Sequence, residues 1–328
     1  MIRCSRIDKR WHQRADIELS ILHLERHTEL AAGNKQYKLQ GNLRYWHDSG
    51  AKRILTFGGA WSNHLHAFAY QANINNLQAV GVVRGEEMVS NSLLRAAQSF
   101  GMHLYYISRS EYRNRRDKIY CRELCEKLGC DFWLPEGASN SLAVAGCTDI
   151  TSSIPLPDKC RIWNGKVDTV FALAVGTGAT LAGVASSLHA NQSVVGFPVV
   201  NDSSVSSRIG YWVERHTSDN KQKNWMLWPE PNLLSYGKLD TGLLEFIIDF
   251  FSDTGIALDP VYTGRVMQRL LKSDFLDSLR PGTKLIYIHT GGLIGAWGYR
   301  KQFTACCDRK TVANYFSEIQ RLTGHTGE

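Results

Sequence analysis

DTVFALAVGTGATLAGVASSL, residues 168–188, is the stretch that decides the fold. Its first eight residues, Asp168 to Val175, are almost unbroken in apolar character, as befits a strand buried on both faces of a parallel sheet. Gly176-Thr177-Gly178-Ala179-Thr180 follows, and then the helical run LAGVASSL. A strand, a glycine loop and a helix N-terminus in this order offer free backbone N–H groups and a positive dipole end, a cradle for phosphate. The same loop can also serve as no more than a tight turn. No Gly-Lys-Ser/Thr follows, so it is not a nucleoside-triphosphate loop, and Leu181 stands where the dinucleotide fingerprint needs its third glycine.

Working outward, short β-branched runs alternate with helical ones. Arg53 to Phe57, Gln78 to Val83, His103 to Ile107, Ser193 to Val200 and Lys284 to Ile288 read as strands. Ser62 to Asn75, Asn91 to Phe100, Glu111 to Leu128, Thr180 to Ala190 and Leu243 to Ser252 read as helices. The class is α/β, with parallel sheets covered on both faces. The 328 residues suffice for about two domains, and periodicity breaks across Thr151 to Asp168, a crossing between them. Asn201 to Pro231, with Trp212, Trp225 and Trp228 among polar residues, reads as an irregular surface excursion.

The balance of 38 Lys and Arg against 31 Asp and Glu gives a formal +7, too dispersed to imply nucleic acid. Arg113, Arg115, Arg116, Lys118 and Arg122 read as the solvated face of a helix. No apolar run approaches membrane-spanning length, and the basic start has no apolar core of signal-peptide length. The eight cysteines are irregularly spaced, which fits reduced thiols in the cytoplasm. Cys121 and Cys125 lie i, i+4 on a helix face expected to be buried, and His64 and His66 at i, i+2 point apart, so no metal site is expected.

Ligands in open α/β sheets bind beyond the carboxyl ends of strands. Three further loops qualify: Gly58-Gly59-Ala60-Trp61-Ser62-Asn63-His64 after RILTF, His289-Thr290-Gly291-Gly292 after KLIYI, and the turn Gly33-Asn34-Lys35-Gln36-Tyr37-Lys38-Leu39. With Pro135-Glu136-Gly137-x-Ser139-Asn140 and Leu258-Asp259-Pro260-Val261-Tyr262-Thr263-Gly264, they make six motifs that in order and spacing resemble the pyridoxal-phosphate family of D-cysteine desulfhydrase and 1-aminocyclopropane-1-carboxylate deaminase. The likeness runs from about Leu24 to Tyr299.

The resemblance implies a tryptophan-synthase β-like fold (fold type II), of two three-layer domains with twisted, mostly parallel sheets. Residues 1–48 and 156–328 would form the large cofactor-binding domain and 49–155 an inserted small one, commonly in a homodimer. Pyridoxal 5'-phosphate is the implied cofactor. Lys35 would hold it as a Schiff base and serve as general base. Gly176, Thr177, Gly178, Ala179 and Thr180 would hold its phosphate, and Asn63 its ring oxygen. Thr290 would also bind the cofactor. Tyr236 and Tyr262 match the family's active-site tyrosines. Ser62 would assist proton transfer and, with Trp61, Asn63, His64 and Tyr236, receive the small amino-acid substrate.

Thr263, after Tyr262, would face the pyridine nitrogen, where the deaminases carry Glu and the desulfhydrases Thr. A neutral hydroxyl makes a weaker electron sink and favours β-elimination. Trp61 stands where the family has Gln, Tyr37 where it has Arg, Arg265 where it has Lys, and Glu25 to Leu30 replace its acidic lead-in. The cofactor machinery is kept and the substrate end altered. The expected activity is a cytoplasmic lyase acting on D-cysteine or a related amino acid, giving an oxo acid and ammonia. Two alternatives stand beside it, a cyclopropane deaminase and a cofactor-binding carrier or regulator with little catalysis.

Overall fold

The computed structural model describes residues 3–12, 14, 16–24, 33–85, 91–152, 169–217, 224–229 and 237–325. In chain order the strands are β1 (Arg3–Arg6), β2 (Glu18–His23), β3 (Arg53–Gly58), β4 (Gln78–Arg84), β5 (His103–Ile107), β6 (Phe132–Leu134), β7 (Thr169–Val175), β8 (Gln192–Pro198), β9 (Trp225–Leu227) and β10 (Lys284–His289). The helices are α1 (Asn34–Asp48), α2 (Asn63–Ile74), α3 (Ser92–Ser99), α4 (Lys118–Lys127), α5 (Ser141–Cys147), α6 (Asp149–Ser152), α7 (Ala179–Ser187), α8 (Val205–His216), α9 (Thr241–Thr254), α10 (Thr263–Lys272), α11 (Arg300–Cys306) and α12 (Arg309–Thr323).

The strands form two sheets, one of order β1-β2-β10-β7-β8-β9 and one of order β5-β4-β3-β6. Every pairing is parallel except β1 on β2. The central β7 is buried at all its positions, and Phe171 lies level with Ile286 of β10 and Val194 of β8. Successive residues feed opposite cores, as strand geometry demands. Ala172, Leu285 and Tyr287 pack with Phe246, Phe250 and Met267 of α9 and α10. Phe171, Leu173 and Ile286 pack on the other face with Leu181 and Val184 of α7 and Ile209 of α8.

Two expectations are corrected. Within Asn201 to Pro231 the described residues include α8 and the edge strand β9, because Val205, Ile209, Trp212 and Val213 recur at helical spacing and are buried. The helix expected over Glu111 to Leu128 is two pieces. A 3-10 turn covers Glu111–Asn114, and α4 begins only after Asp117, whose carboxylate accepts the N–H groups of Ile119 and Tyr120. Cys121 and Cys125 are buried on α4.

The helix that carries Lys35 is held to the glycine loop through backbone approach. Helix α5 lies between α1 and α7. A Cβ at Gly146 would fall inside the van der Waals radius of the Tyr37 carbonyl oxygen, and one at Gly183 would lie 2.6 Å from Val144 O. Small residues thus let three helices pack at backbone contact. Gly146→Ala must push α1 outward, and a loss of about 1–3 kcal/mol is expected for such overpacking, measured as a lowered urea midpoint.

Candidate active site

Strands of both sheets end at one cleft of about 880 Å³, lined from the larger sheet by the loops after β7, β8 and β10 and from the smaller by those after β3, β4, β5 and β6. Gly33, at φ 84°, turns the chain into α1, and a side chain there would strike Thr290 O, the acceptor of the Asn34 N–H. Asn34 Nδ2 donates to Thr180 Oγ1 at 2.9 Å and Lys35 Nζ to Asn34 Oδ1 at 3.0 Å. The lysine helix, the loop after β10 and the first turn of α7 are thereby locked together.

Burial, reinforced by the neighbouring Lys38 charge, pulls Lys35 down to about 7. Burial brings Lys38 down to about 8. Lys38 Nζ donates to Gly137 O at 3.0 Å and lies 3.5 Å from Ser139 Oγ and 3.4 Å from Thr177 Oγ1. The Ser139 and Thr177 hydroxyls are themselves hydrogen-bonded.

Gly178, at φ 94°, begins α7 with no side chain capping it, so the amides of this first turn remain available. A Cβ there would lie 2.7 Å from Ile209 Cγ1. Arg208 Nε donates to Thr177 O at 3.1 Å and steadies the loop from outside the helix. The ring of Tyr262 comes within 3.4 Å of where a Cβ on Gly176 would stand, so it lies along the same loop.

Across the cleft, Ser62 caps α2, accepting the Leu65 N–H at 3.3 Å. Asn63 packs on Gly292 and Gly295, where a Cβ would meet its Nδ2 at 3.0 and 3.1 Å, and its buried Oδ1 has no hydrogen-bond partner among the described residues. His64 Nε2 lies 2.8 Å from Thr56 Oγ1. The Thr56 hydroxyl donates to Leu134 O, so the ring proton sits on Nε2 and is given to Thr56. Burial, then the charges of Lys35 and Lys38, hold His64 well below its ordinary range, a neutral imidazole. Trp61 is 39% exposed, with its indole over Gly298.

Lys35, Ser62, Asn63, His64, Gly176, Thr177, Gly178, Thr180, Tyr262, Thr290 and Trp61 therefore share one cleft. Ala179 is buried in the first turn of α7. Tyr236 and the lead-in Glu25 to Leu30 lie outside the described residues. Thr263 sits behind the wall: fully buried, its hydroxyl donates to Asp259 Oδ2 at 2.7 Å and accepts the Asp259 N–H at 2.7 Å. Asp259 itself lines the cleft. Its carboxylate also accepts the N–H groups of Val261, Tyr262 and Thr263, and these donors oppose the upward push of burial on its pKa. In the sequence the only signal of this role is the Asp-Pro that precedes α10, since Asp favours a helix N-terminus.

No protein-family model matches the chain. The chain is similar to the mitochondrial bifunctional D-cysteine desulfhydrase/1-aminocyclopropane-1-carboxylate deaminase of Arabidopsis thaliana, at 28% identity over 309 residues, covering 89% of this chain and 77% of the relative. Among solved structures, a homologue of 1-aminocyclopropane-1-carboxylate deaminase superposes with a TM-score of 0.77 at 22% identity over 93% of both chains. O-ureido-L-serine synthase superposes with a TM-score of 0.62 at 16% identity, over 94% of this chain and 93% of that one. By its curated relatives the chain is similar to the D-cysteine desulfhydrase/1-aminocyclopropane-1-carboxylate deaminase family, and its fold is that of the tryptophan-synthase β-like enzymes.

Proposed function

We propose that the protein is a pyridoxal-phosphate-dependent lyase that eliminates the β-substituent of a small amino acid, in the manner of D-cysteine and water giving pyruvate, hydrogen sulfide and ammonia. One observation carries the reading: a half-buried lysine, its amine brought to about 7 chiefly by desolvation, faces the same cleft as an uncapped, glycine-rich helix N-terminus and the first turn of α2.

The residues fit the cofactor. The free amides of Gly176 to Thr180 suit a phosphate, with Lys38 behind them. The unpartnered Oδ1 of Asn63, held over two glycines, belongs to a side chain still in need of a polar partner. Lys35 is neutral enough at pH 7 to react with an aldehyde. When bound, pyridoxal phosphate supplies that aldehyde and a conjugated ring that withdraws electrons from the substrate's α-carbon.

The chain's own residues do the rest. Lys35, with its amine free beside the substrate, would take the proton from the α-carbon. Ser62 and the first amides of α2 receive the substrate carboxylate, and Ser62 can pass a proton to or from Lys35. Tyr262 packs along the phosphate loop, and Trp61 narrows the entrance. Thr263 is proposed to act on the ring nitrogen from behind Asp259, which holds its hydroxyl and lines the cleft; Tyr236 and His64 are read as further contacts of the substrate. Residues 1–48 and 156–328 are taken as the cofactor-binding unit and 49–155 as an insertion, in a cytoplasmic homodimer.

The test is a product assay on the yellow holoenzyme. Hydrogen sulfide and pyruvate from D-cysteine are expected. Formation of 2-oxobutyrate from the cyclopropane amino acid instead would move the assignment to the deaminase branch. Bound cofactor without turnover on a broad panel of D- and L-amino acids would leave a carrier or regulator.

A further inference from the structure

The small-sheet side of the cleft carries more positive charge than the proposed cofactor and an α-carboxylate require. Arg84 at the end of β4, Arg109 after β5, and Arg115 and Arg116 before α4 all line it. Arg115 and Arg116 belong to the run expected as a solvated helix face, of which Lys118 and Arg122 lie on α4 while Arg115 and Arg116 precede it and line the cleft. Arg115 Nε binds Glu136 Oε2 at 2.7 Å, and its guanidinium lies 4.8 Å over the Tyr112 ring. Arg84 lies 5.9 Å from the centre of the same ring, so two like charges share one aromatic ring and Glu136 pairs with only one of them. Glu136 also accepts the Tyr112 hydroxyl at 2.8 Å.

Arg116 binds Asp202 at 2.9 Å, but Arg208 competes for the same oxygen at 2.9 Å. Arg84 and Arg109 have no carboxylate partner among the described residues. One Arg84 nitrogen comes within 4.0 Å of where a Cβ on Gly59 would stand, beside the loop leading to Ser62 and Asn63. The substrate's α-carboxylate already has a receiver in the first turn of α2, and the phosphate has one in the first turn of α7. A guanidinium cluster left over at the cleft mouth calls for another anion.

We propose that Arg84 and Arg109, with Arg115 and Arg116 beside them, receive a negatively charged group on the substrate's β-substituent. The preferred substrates are then amino acids bearing a carboxylate, sulfonate or phosphate beyond Cβ. For an O-phosphorylated serine the elimination balances. The α-proton goes to Lys35, the Cβ–O bond breaks with its electron pair leaving on phosphate, and water releases ammonia to give pyruvate. The inference rests on the reading of this cleft as an amino-acid site, and its test separates the two.

Dissociation constants are read from the change in cofactor absorbance when the holoenzyme is titrated with matched pairs: O-phosphoserine against serine, cysteate against serine, aspartate against asparagine, in both stereochemical series. The anionic member of a pair is expected to bind about tenfold tighter, the worth of one charge-assisted contact, and the advantage should shrink as salt rises. Arg84→Gln and Arg109→Gln should each cut the neutral-to-anionic ratio of dissociation constants by roughly threefold or more, and Arg84→Lys by less. The cofactor absorbance of each variant reports that it has folded. If neutral amino acids perturb the absorbance and anionic ones gain nothing, or if neither Gln variant moves the ratio, the cluster proposal is overturned while the lyase reading stands. If no amino acid of either kind perturbs it, the lyase reading fails and the cluster proposal with it.

Discussion

Lys35→Ala is expected to leave the protein colourless after incubation with pyridoxal phosphate, without a borohydride-fixed adduct, and with turnover reduced roughly 10³-fold or more, since the covalent link and the base vanish together. The unaltered protein should carry one fixed cofactor on the peptide that contains Lys35. No second lysine can stand in. Lys38 lies in the same cleft, but its amine is bound to Gly137 O and faces the Ser139 and Thr177 hydroxyls. The fold should survive, because Lys35 gives its helix one side-chain hydrogen bond, to the adjacent Asn34, and burying its amine opposes folding. An Ala variant that still turned yellow and still trapped cofactor would sink both the lysine assignment and the reading of the cleft; an unchanged circular dichroism spectrum excludes the trivial explanation.

What the sequence revealed and what it hid follow from the range of the physics involved. Continuous apolar runs such as TVFALAV and RILTF identify themselves, because a strand buried on both faces needs nothing else to be recognised. The loops that follow them were legible for the same reason: a glycine between strand and helix leaves a local trace. The short edge strands, β1 and β9, have no such trace, since pairing on a sheet edge stabilises them rather than their own composition. Arg116 is exposed and Arg115 half-exposed, as a solvated face implies, yet both also line the cleft, and solvent and cleft look alike in one dimension. Only the meeting of two sheet ends, one carrying Arg84 and Arg109 and the other Gly176 and Asp202, turns a surface charge into a lining one. The partnership of Asp259 with Thr263 was hidden by the same limit. The motif places the threonine next to Tyr262, whereas its hydroxyl is tied to Asp259, which lines the cleft where Thr263 does not.

The pairing of Lys35 with Lys38 leads to the second large effect, on the pH dependence of cofactor capture. Only the neutral amine attacks an aldehyde, so the capture rate follows the neutral fraction of Lys35. With Lys35 at about 7, the rate should rise through neutral pH and then level off. An ordinary lysine would still be climbing beyond pH 10, and at pH 7 would have roughly 10³-fold less neutral amine. Lys38 contributes to this depression as a like charge, after burial. Replacing it by Met, similar in length but uncharged, removes the repulsion that disfavours the protonated Lys35. The midpoint should therefore move upward, and capture at pH 7 should slow while the alkaline plateau is still reached. Loss of the cation behind Gly176 to Thr180 should separately weaken cofactor affinity, by roughly tenfold to a hundredfold. Stopped-flow absorbance at saturating pyridoxal phosphate across pH 5.5–10 divides the two effects, because affinity drops out at saturation and the midpoint remains. A Lys38→Met midpoint equal to that of the unaltered protein would mean that Lys38 only ties Gly137 to the phosphate loop. An upward shift would mean that the second lysine of Gly-Asn-Lys-x-x-Lys keeps the first one reactive.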